Sequence, residues 1–173
     1  MDDELGMDLT LRHPTPADHA RLRVALAEWW GDQGGDAGAR QRQSLLPRLF
    51  LQHFADTSFL VERPDHTPQA FLIGFLSQTD PATAYVHIVA VHPDGQRTGL
   101  GSALYRRFFA LARAAGRTQI RCITSPGNRN SIAYHTRMGF RLEPGDWTDE
   151  HGVPVHRDYD GPGLDRVSFV REL

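Results

Sequence analysis

One segment constrains this chain more than any other: Tyr85-Val86-His87-Ile88-Val89-Ala90-Val91-His92-Pro93-Asp94-Gly95-Gln96-Arg97-Thr98-Gly99-Leu100-Gly101-Ser102-Ala103-Leu104. A β-branched run reads as a buried strand that stops at His92-Pro93, and a helix begins among the glycines. The first N–H groups of a helix have no intrahelical partner, and the aligned peptide dipoles favour a negative guest there. Each such contact contributes about 0.3–1 kcal/mol, and up to ~2 when partly buried, so several must converge to hold a pyrophosphate. Missing Cβ atoms at Gly99 and Gly101 let an anion approach the backbone. A dinucleotide fingerprint needs a third glycine where Leu104 stands, and a nucleoside triphosphate loop needs a Lys-Ser/Thr pair that is absent. The remaining alternative to an anion site is a turn that only packs strand against helix.

The rest of the chain alternates short strands and helices. Residues 8–13 alternate apolar and polar, and Thr15-Pro16-Ala17-Asp18 supplies a cap, a first-turn proline and an acidic residue at the capping-box position, so a helix starts there. Leu22, Leu26 and Trp29 form its apolar face. The glycine-rich stretch 31–38 reads as a mobile loop, and a second helix is expected over 44–55. Strands are expected near 58–62, 70–77 and 83–92. Leu100, Leu104, Phe108, Leu111 and Ala115 make the stripe of a helix that Gly116 ends. A strand is then expected over 119–124, a short helix over 128–138 closed by Gly139, and late strands over 140–143 and 166–171. No repeat or linker divides the chain, and 173 residues suffice for one sizeable core, so a single domain over 1–173 is expected. The pattern is that of a mixed α/β sheet with helices on both faces.

Composition narrows the partners. A formal net charge of −2 gives no pull toward nucleic acid or an anionic membrane. Cys122 is the only cysteine, which rules out an internal disulfide, and no apolar stretch reaches bilayer-spanning length. A cytoplasmic protein is the expectation. All 19 basic residues are Arg, so no Lys side chain serves as base or acyl acceptor.

Val91-x-Pro93-x-x-Gln96-Arg97-x-Gly99-Leu100-Gly101 resembles the coenzyme A loop of the GCN5-related N-acetyltransferase (GNAT) superfamily, whose pattern is Gln/Arg-x-x-Gly-x-Gly/Ala. The segment from Asn128 through Tyr134 to Gly139-Phe140 is similar to that family's following helix. With Leu9-Thr10-Leu11-Arg12 and Asp18, the resemblance covers about residues 8–143. It implies the GNAT (acyl-CoA N-acyltransferase) fold: a mixed central sheet of six to seven strands, helices on both faces, and two parallel strands splayed at the cofactor. It also implies acetyl-CoA as cofactor. Gln96, Arg97, Thr98, Gly99, Leu100, Gly101 and Ser102 would hold its pyrophosphate. Val89 and Val91 would lend backbone groups to the pantetheine arm, and Asn128, Ser131 and Tyr134 would contact it further along.

The catalytic positions depart from the family pattern. A Tyr five residues before the final Phe usually protonates the departing thiolate; here His135 stands there, with Tyr134 one step earlier and pointing elsewhere on the helix. Either His135 is the general acid, since an imidazolium near pKa ~6.5 can protonate a thiolate near ~8.5, or it packs and the thiolate takes its proton from water. A strand carboxylate that acts as base in some relatives is replaced by Tyr85. His87 shares that strand face by period two and is the expected base, directly or through water, against the alternative of an uninvolved strand histidine.

The segment 143–165 carries Glu143, Asp146, Asp149, Glu150, Asp158, Asp160 and Asp165. Folded over an acceptor cleft it would attract a cation; as a solvated loop it has no such role, and the loop reading is preferred. His151 and His156 show no metal spacing, so no metal is expected. The expected activity is direct transfer of an acetyl group to a primary amine of a small molecule or peptide. A coenzyme A sensor without turnover is the alternative. No nucleic acid or membrane partner is expected, and a homodimer is an allowed assembly.

Overall fold

The computed structural model describes residues 8–30 and 35–173, with residues 35–38 described by backbone only. Nine strands and five α-helices are found among the described residues: β1 (Thr10–Arg12), α1 (His19–Glu28), α2 (Gly35–Ser44), α3 (Leu49–His53), β2 (Phe59–Glu62), β3 (Pro68–Leu76), β4 (Thr83–Val91), α4 (Leu100–Ala114), β5 (Gln119–Thr124), α5 (Arg129–Arg137), β6 (Arg141–Leu142), β7 (Trp147–Thr148), β8 (Pro154–Val155) and β9 (Val167–Glu172). Seven strands form one sheet in the order β1-β2-β3-β4-β5-β9-β6, and β7 pairs with β8. The sheet is mixed: β4 and β5 are parallel, while β1–β2, β2–β3, β5–β9 and β6–β9 are antiparallel. The chain divides into two compact units, Met1–Phe75 with Val86–Leu111, and Leu76–Tyr85 with Ala112–Leu173.

In the first unit, Leu22, Ala25, Leu26 and Trp29 of α1 and Leu51 of α3 pack with Leu60, Phe71, Ile73, Ile88 and Ala90 of the strands. The capping box at Thr15 forms: the Thr15 N–H donates to Asp18 Oδ2 at 2.6 Å. Asp18 does more than cap. It pairs with Arg12 at 2.8 Å and with Arg21, and the same arginines reach Glu62 at 2.9 and 2.7 Å. Asp18 and Glu62 are buried, so this ion network clamps β1, α1 and β2 together.

Two expectations are corrected here. The loop expected over 31–38 lies outside the described residues at 31–34, but from Gly35 on the chain is helical in α2. Its Ala, Arg and Gln residues outweigh a glycine cost of about 1 kcal/mol each, and Arg42 fastens it by donating to the Leu26 and Ala27 carbonyls at 3.2 and 3.0 Å. The helix expected over 44–55 is interrupted, since Pro47 disfavours helical geometry at the residue before it; α2 ends at Ser44 and α3 starts only at Leu49.

In the second unit, β5 pairs with β9 along its whole length, from Gln119↔Glu172 to Thr124↔Val167. The β7–β8 hairpin arises in the region that lacked periodicity. Gly145 permits it: a Cβ there would collide with the backbone of Val155. Gly145→Ala is expected to part the hairpin at a cost of about 1–3 kcal/mol. The check is hydrogen exchange at Asp146, whose amide bonds the Val155 carbonyl at 2.9 Å; unchanged protection would contradict it. The acidic residues of 143–165 build turns. Asp149 accepts from the amides of His151 and Val153, Asp146 from Arg157, Asp158 from Gly163 and Asp165 from Asp158, while Asp160 pairs with Arg166 at 2.7 Å and Glu143 with Arg121 at 3.0 Å.

Candidate active site

Strand β4 leads into the turn expected to hold an anion. Along it Ala84, Val86, Ile88 and Ala90 are buried, while Tyr85, His87, Val89 and Val91 are half-buried, which is the period-two alternation of a strand with one less covered face. Its ladder with β5 runs over three pairs and ends at Tyr85↔Arg121.

After β4 the chain makes a 3-10 turn, Pro93–Gly95, whose cap His92 accepts the Asp94 amide at 3.2 Å. The backbone then alternates in hand. Gln96 has φ −65°, Arg97 +65° and Gly99 +94°, with Thr98 outside the positive-φ set. Such alternation turns successive N–H groups toward one concavity, a nest suited to an anion. The Thr98 hydroxyl donates to the Gly95 carbonyl at 2.7 Å and locks the turn. The first helical bond of α4 is Ala103 N–H to Gly99 O at 2.9 Å, so the amides of Leu100, Gly101 and Ser102 precede the helical ladder. Gln96, Arg97, Thr98 and Gly99 are exposed, Ser102 is half-buried, and Leu100 and Gly101 are buried. No atom lies within 4 Å of a Cβ built on Gly99. The turn is therefore open around Gly99 and anchored by the buried Leu100.

His87 is held firmly. Its ring stacks on Phe50 with centroids 4.3 Å apart and planes 10° apart, and Nε2 lies 2.6 Å from the Leu45 carbonyl oxygen. The helical pattern of the sequence did not foretell these neighbours, because α3 is too short to display one. Tyr85 is half-buried, and burial pushes its hydroxyl above its ordinary range.

In the second unit, Asn128 caps α5 by accepting the Ser131 amide at 3.1 Å. His135 is buried, with Nδ1 2.8 Å from the Ser131 carbonyl and 3.2 Å from its hydroxyl. Its ring stacks on Phe169 at 4.9 Å and meets Phe140 and Tyr134 edge-on at 5.4 and 5.9 Å. Burial lowers the His135 pKa from its ordinary value, opposed only in part by the Ser131 carbonyl. Tyr134 is half-buried. Burial also pushes the Cys122 thiol upward, which removes it as a nucleophile at neutral pH. Among the described residues no group of three His, Cys, Asp or Glu is placed to hold a metal, and no helix is long and apolar enough to cross a membrane.

The sequence model of the Acetyltransferase (GNAT) family matches residues 23–140, and the chain belongs to that family. It is 31% identical over 113 residues to the L-2,4-diaminobutyric acid acetyltransferase of Nocardia farcinica (strain IFM 10152), an alignment spanning 60% of this chain and 58% of that relative. Among solved structures, a GNAT-family acetyltransferase from Desulfovibrio desulfuricans superposes with a TM-score of 0.72 at 20% identity, covering 95% of this chain and 98% of that one. Diaminobutyrate acetyltransferase EctA from Paenibacillus lautus, solved with its substrate L-2,4-diaminobutyric acid and coenzyme A, superposes with a TM-score of 0.65 at 21% identity, covering 95% of each chain. At these identities the structural likeness establishes the fold.

Proposed function

We propose that this protein transfers the acetyl group of acetyl-CoA to a primary amine of a small molecule or peptide, as a single domain over residues 1–173. The observation that carries the reading is the alternating backbone of Gln96, Arg97, Thr98 and Gly99 running into the open amides of α4. When bound there by its diphosphate, the cofactor supplies an activated acetyl thioester. Gln96 through Ser102 would hold the diphosphate, and the Arg97 side chain is exposed. The backbone of Val89 and Val91 lies beyond the end of the β4–β5 ladder and is suited to bond the pantetheine amides. Asn128 and Ser131 are first committed to the cap of α5 and to His135, so their contacts with the cofactor, like that of Tyr134, rest on the resemblance alone.

His87 accepts the amine proton. An alkyl ammonium with pKa about 10.4 is almost wholly protonated at pH 7, so the neutral nucleophile exists only if a base takes that proton. Tyr85 is not that base, because its hydroxyl keeps its proton. His135 is a packing residue. With its pKa lowered it is neutral at pH 7, and the hydrogen on Nδ1 is directed at a carbonyl, so the thiolate leaves by taking a proton from water.

Free thiol release from acetyl-CoA is the test, with L-2,4-diaminobutyrate first, then polyamines, amino acids, aminoglycosides and peptide N-termini. Diaminobutyrate leads because a relative of 31% identity bears its name. Turnover with at least one amine is expected. Tight coenzyme A binding without turnover across the panel would favour the sensor. His87→Gln is expected to lower kcat about a hundredfold, whereas His135→Phe keeps kcat within about threefold; a hundredfold loss there would restore it as the general acid.

A further inference from the structure

We infer that His92 is a positioning residue for the cofactor turn: its Nδ1 takes up the Asp94 amide, and through Pro93–Gly95 that bond sets the direction of the amides that follow. The inference deepens the reading of this turn as the diphosphate site and rests on it.

Pro93 disfavours helical geometry at the residue before it, and His92 accordingly stands at ψ 140°. From there a side chain can reach forward to the first amides of the turn, a role that Ser, Thr, Asp and Asn usually fill. Pro93 has no N–H, so two amides open the turn, and His92 takes both. The Asp94 N–H reaches Nδ1 at 3.2 Å, and the Gly95 N–H reaches the His92 carbonyl at 2.9 Å. A backbone amide can only donate, so Nδ1 bears the lone pair and, in the neutral ring, Nε2 carries the hydrogen. The Asp94 carboxylate does not compete, because its oxygen stands 3.8 Å from Nδ1, beyond hydrogen-bond reach.

His92 is itself held by the core of the first unit. Buried Trp29 of α1 meets its ring edge-on with centroids 5.5 Å apart, and packs in turn against Phe71 at 5.7 Å. The His92 amide donates to the Gln69 carbonyl on β3 at 2.8 Å. On the other side, Gly95 passes the constraint along the chain. Its carbonyl accepts the Thr98 hydroxyl at 2.7 Å, and Arg97 and Gly99, which flank Thr98, carry the positive φ angles that curl the backbone into a nest. Asp94 is exposed, so without Nδ1 its amide bonds water at little cost to the fold. The turn then gains freedom that a bound diphosphate must remove again. Loss of one such cap corresponds to about tenfold in affinity.

Nitrogen NMR of the His92 ring in the free protein comes first; the Nε2–H tautomer is expected, and a hydrogen on Nδ1, alone or in a mixture, overturns the inference. Two variants then separate the acceptor from the ring. His92→Phe keeps a ring against Trp29 but offers no acceptor, whereas His92→Asn gives up the ring and keeps an acceptor. Calorimetry with coenzyme A is expected to show about tenfold weaker binding in His92→Phe, and binding within about twofold of wild type in His92→Asn. With L-2,4-diaminobutyrate as acceptor, His92→Phe is expected to raise KM for acetyl-CoA while kcat stays within about twofold. Undiminished affinity in His92→Phe, or an equal loss in both variants, alongside a weakened Gly99→Val overturns the positioning role and leaves the turn as the cofactor site. Undiminished affinity in Gly99→Val removes the turn from that site, and this role of His92 with it.

Discussion

Gly99→Val will weaken coenzyme A binding about a hundredfold, a loss of ~2.7 kcal/mol, while the protein stays folded. Gly99 sits at φ +94° with no atom within 4 Å of where a Cβ would lie, so the new side chain meets open space and an unfavourable backbone angle. A β-branched residue is a genuine outlier at positive φ, at a cost of roughly 1–3 kcal/mol. The turn relieves that strain by rotating peptides, and the rotated amides no longer converge; losing two or three contacts of about 1 kcal/mol each gives the stated magnitude. Nothing in the core touches Gly99, so the melting temperature should fall only a few degrees. Isothermal calorimetry decides the matter, and undiminished affinity would remove the turn from the cofactor site.

Glu62→Gln will destabilise the protein by about 3 kcal/mol, because it leaves Arg12 and Arg21 facing a lost charge in a buried network. The same network predicts a pH dependence. Burial alone would raise the Glu62 carboxyl, but hydrogen bonds from Arg12, Arg21 and His66 overcome it and hold the pKa at about 2, below the ordinary 4.5. Asp18 is likewise pushed up by burial and brought well below its ordinary range by Arg12 and Arg21. A carboxyl with a depressed folded pKa binds its proton more readily in the unfolded chain. The stabilisation is therefore complete above about pH 4.5 and declines as pH falls toward 2. Urea titrations at pH 7 and pH 3 should show the wild type losing stability and Glu62→Gln losing markedly less. Parallel losses in both proteins would contradict the assignment.

What the sequence disclosed follows physical range. The run from β4 through the glycines into α4 could be read because strand period, turn chemistry and helix stripe lie within twenty consecutive residues. β5 falls on its expected bounds, and α4 and α5 stop two residues before Gly116 and Gly139, both at positive φ. What stayed hidden depends on partners distant in sequence. Asp18 reads as a capping residue from its neighbours, yet its second role needs Arg12 on β1 and shares both arginines with Glu62 on β2. His87 gives no hint of Phe50, which lies 37 positions earlier on a five-residue helix. The carboxylates of 146, 149, 158 and 165 look like a charged surface, although each bonds a backbone amide, which no periodicity reveals. Pro47 lies within an apolar spacing that by itself suits a continuous helix, and the proline breaks it.

Gly95 shows how tightly the turn between β4 and α4 is already constrained. A Cβ there would lie 3.1 Å from a Leu100 methyl and 3.5 Å from one of Val91, so the last strand residue, the turn and the first helical residue meet at a single point. In a mutational survey, substitutions at Val91, Gly95 and Leu100 should therefore be purged together, however ordinary the outer two look as aliphatic side chains. Tolerated variation has to come from elsewhere on the molecule.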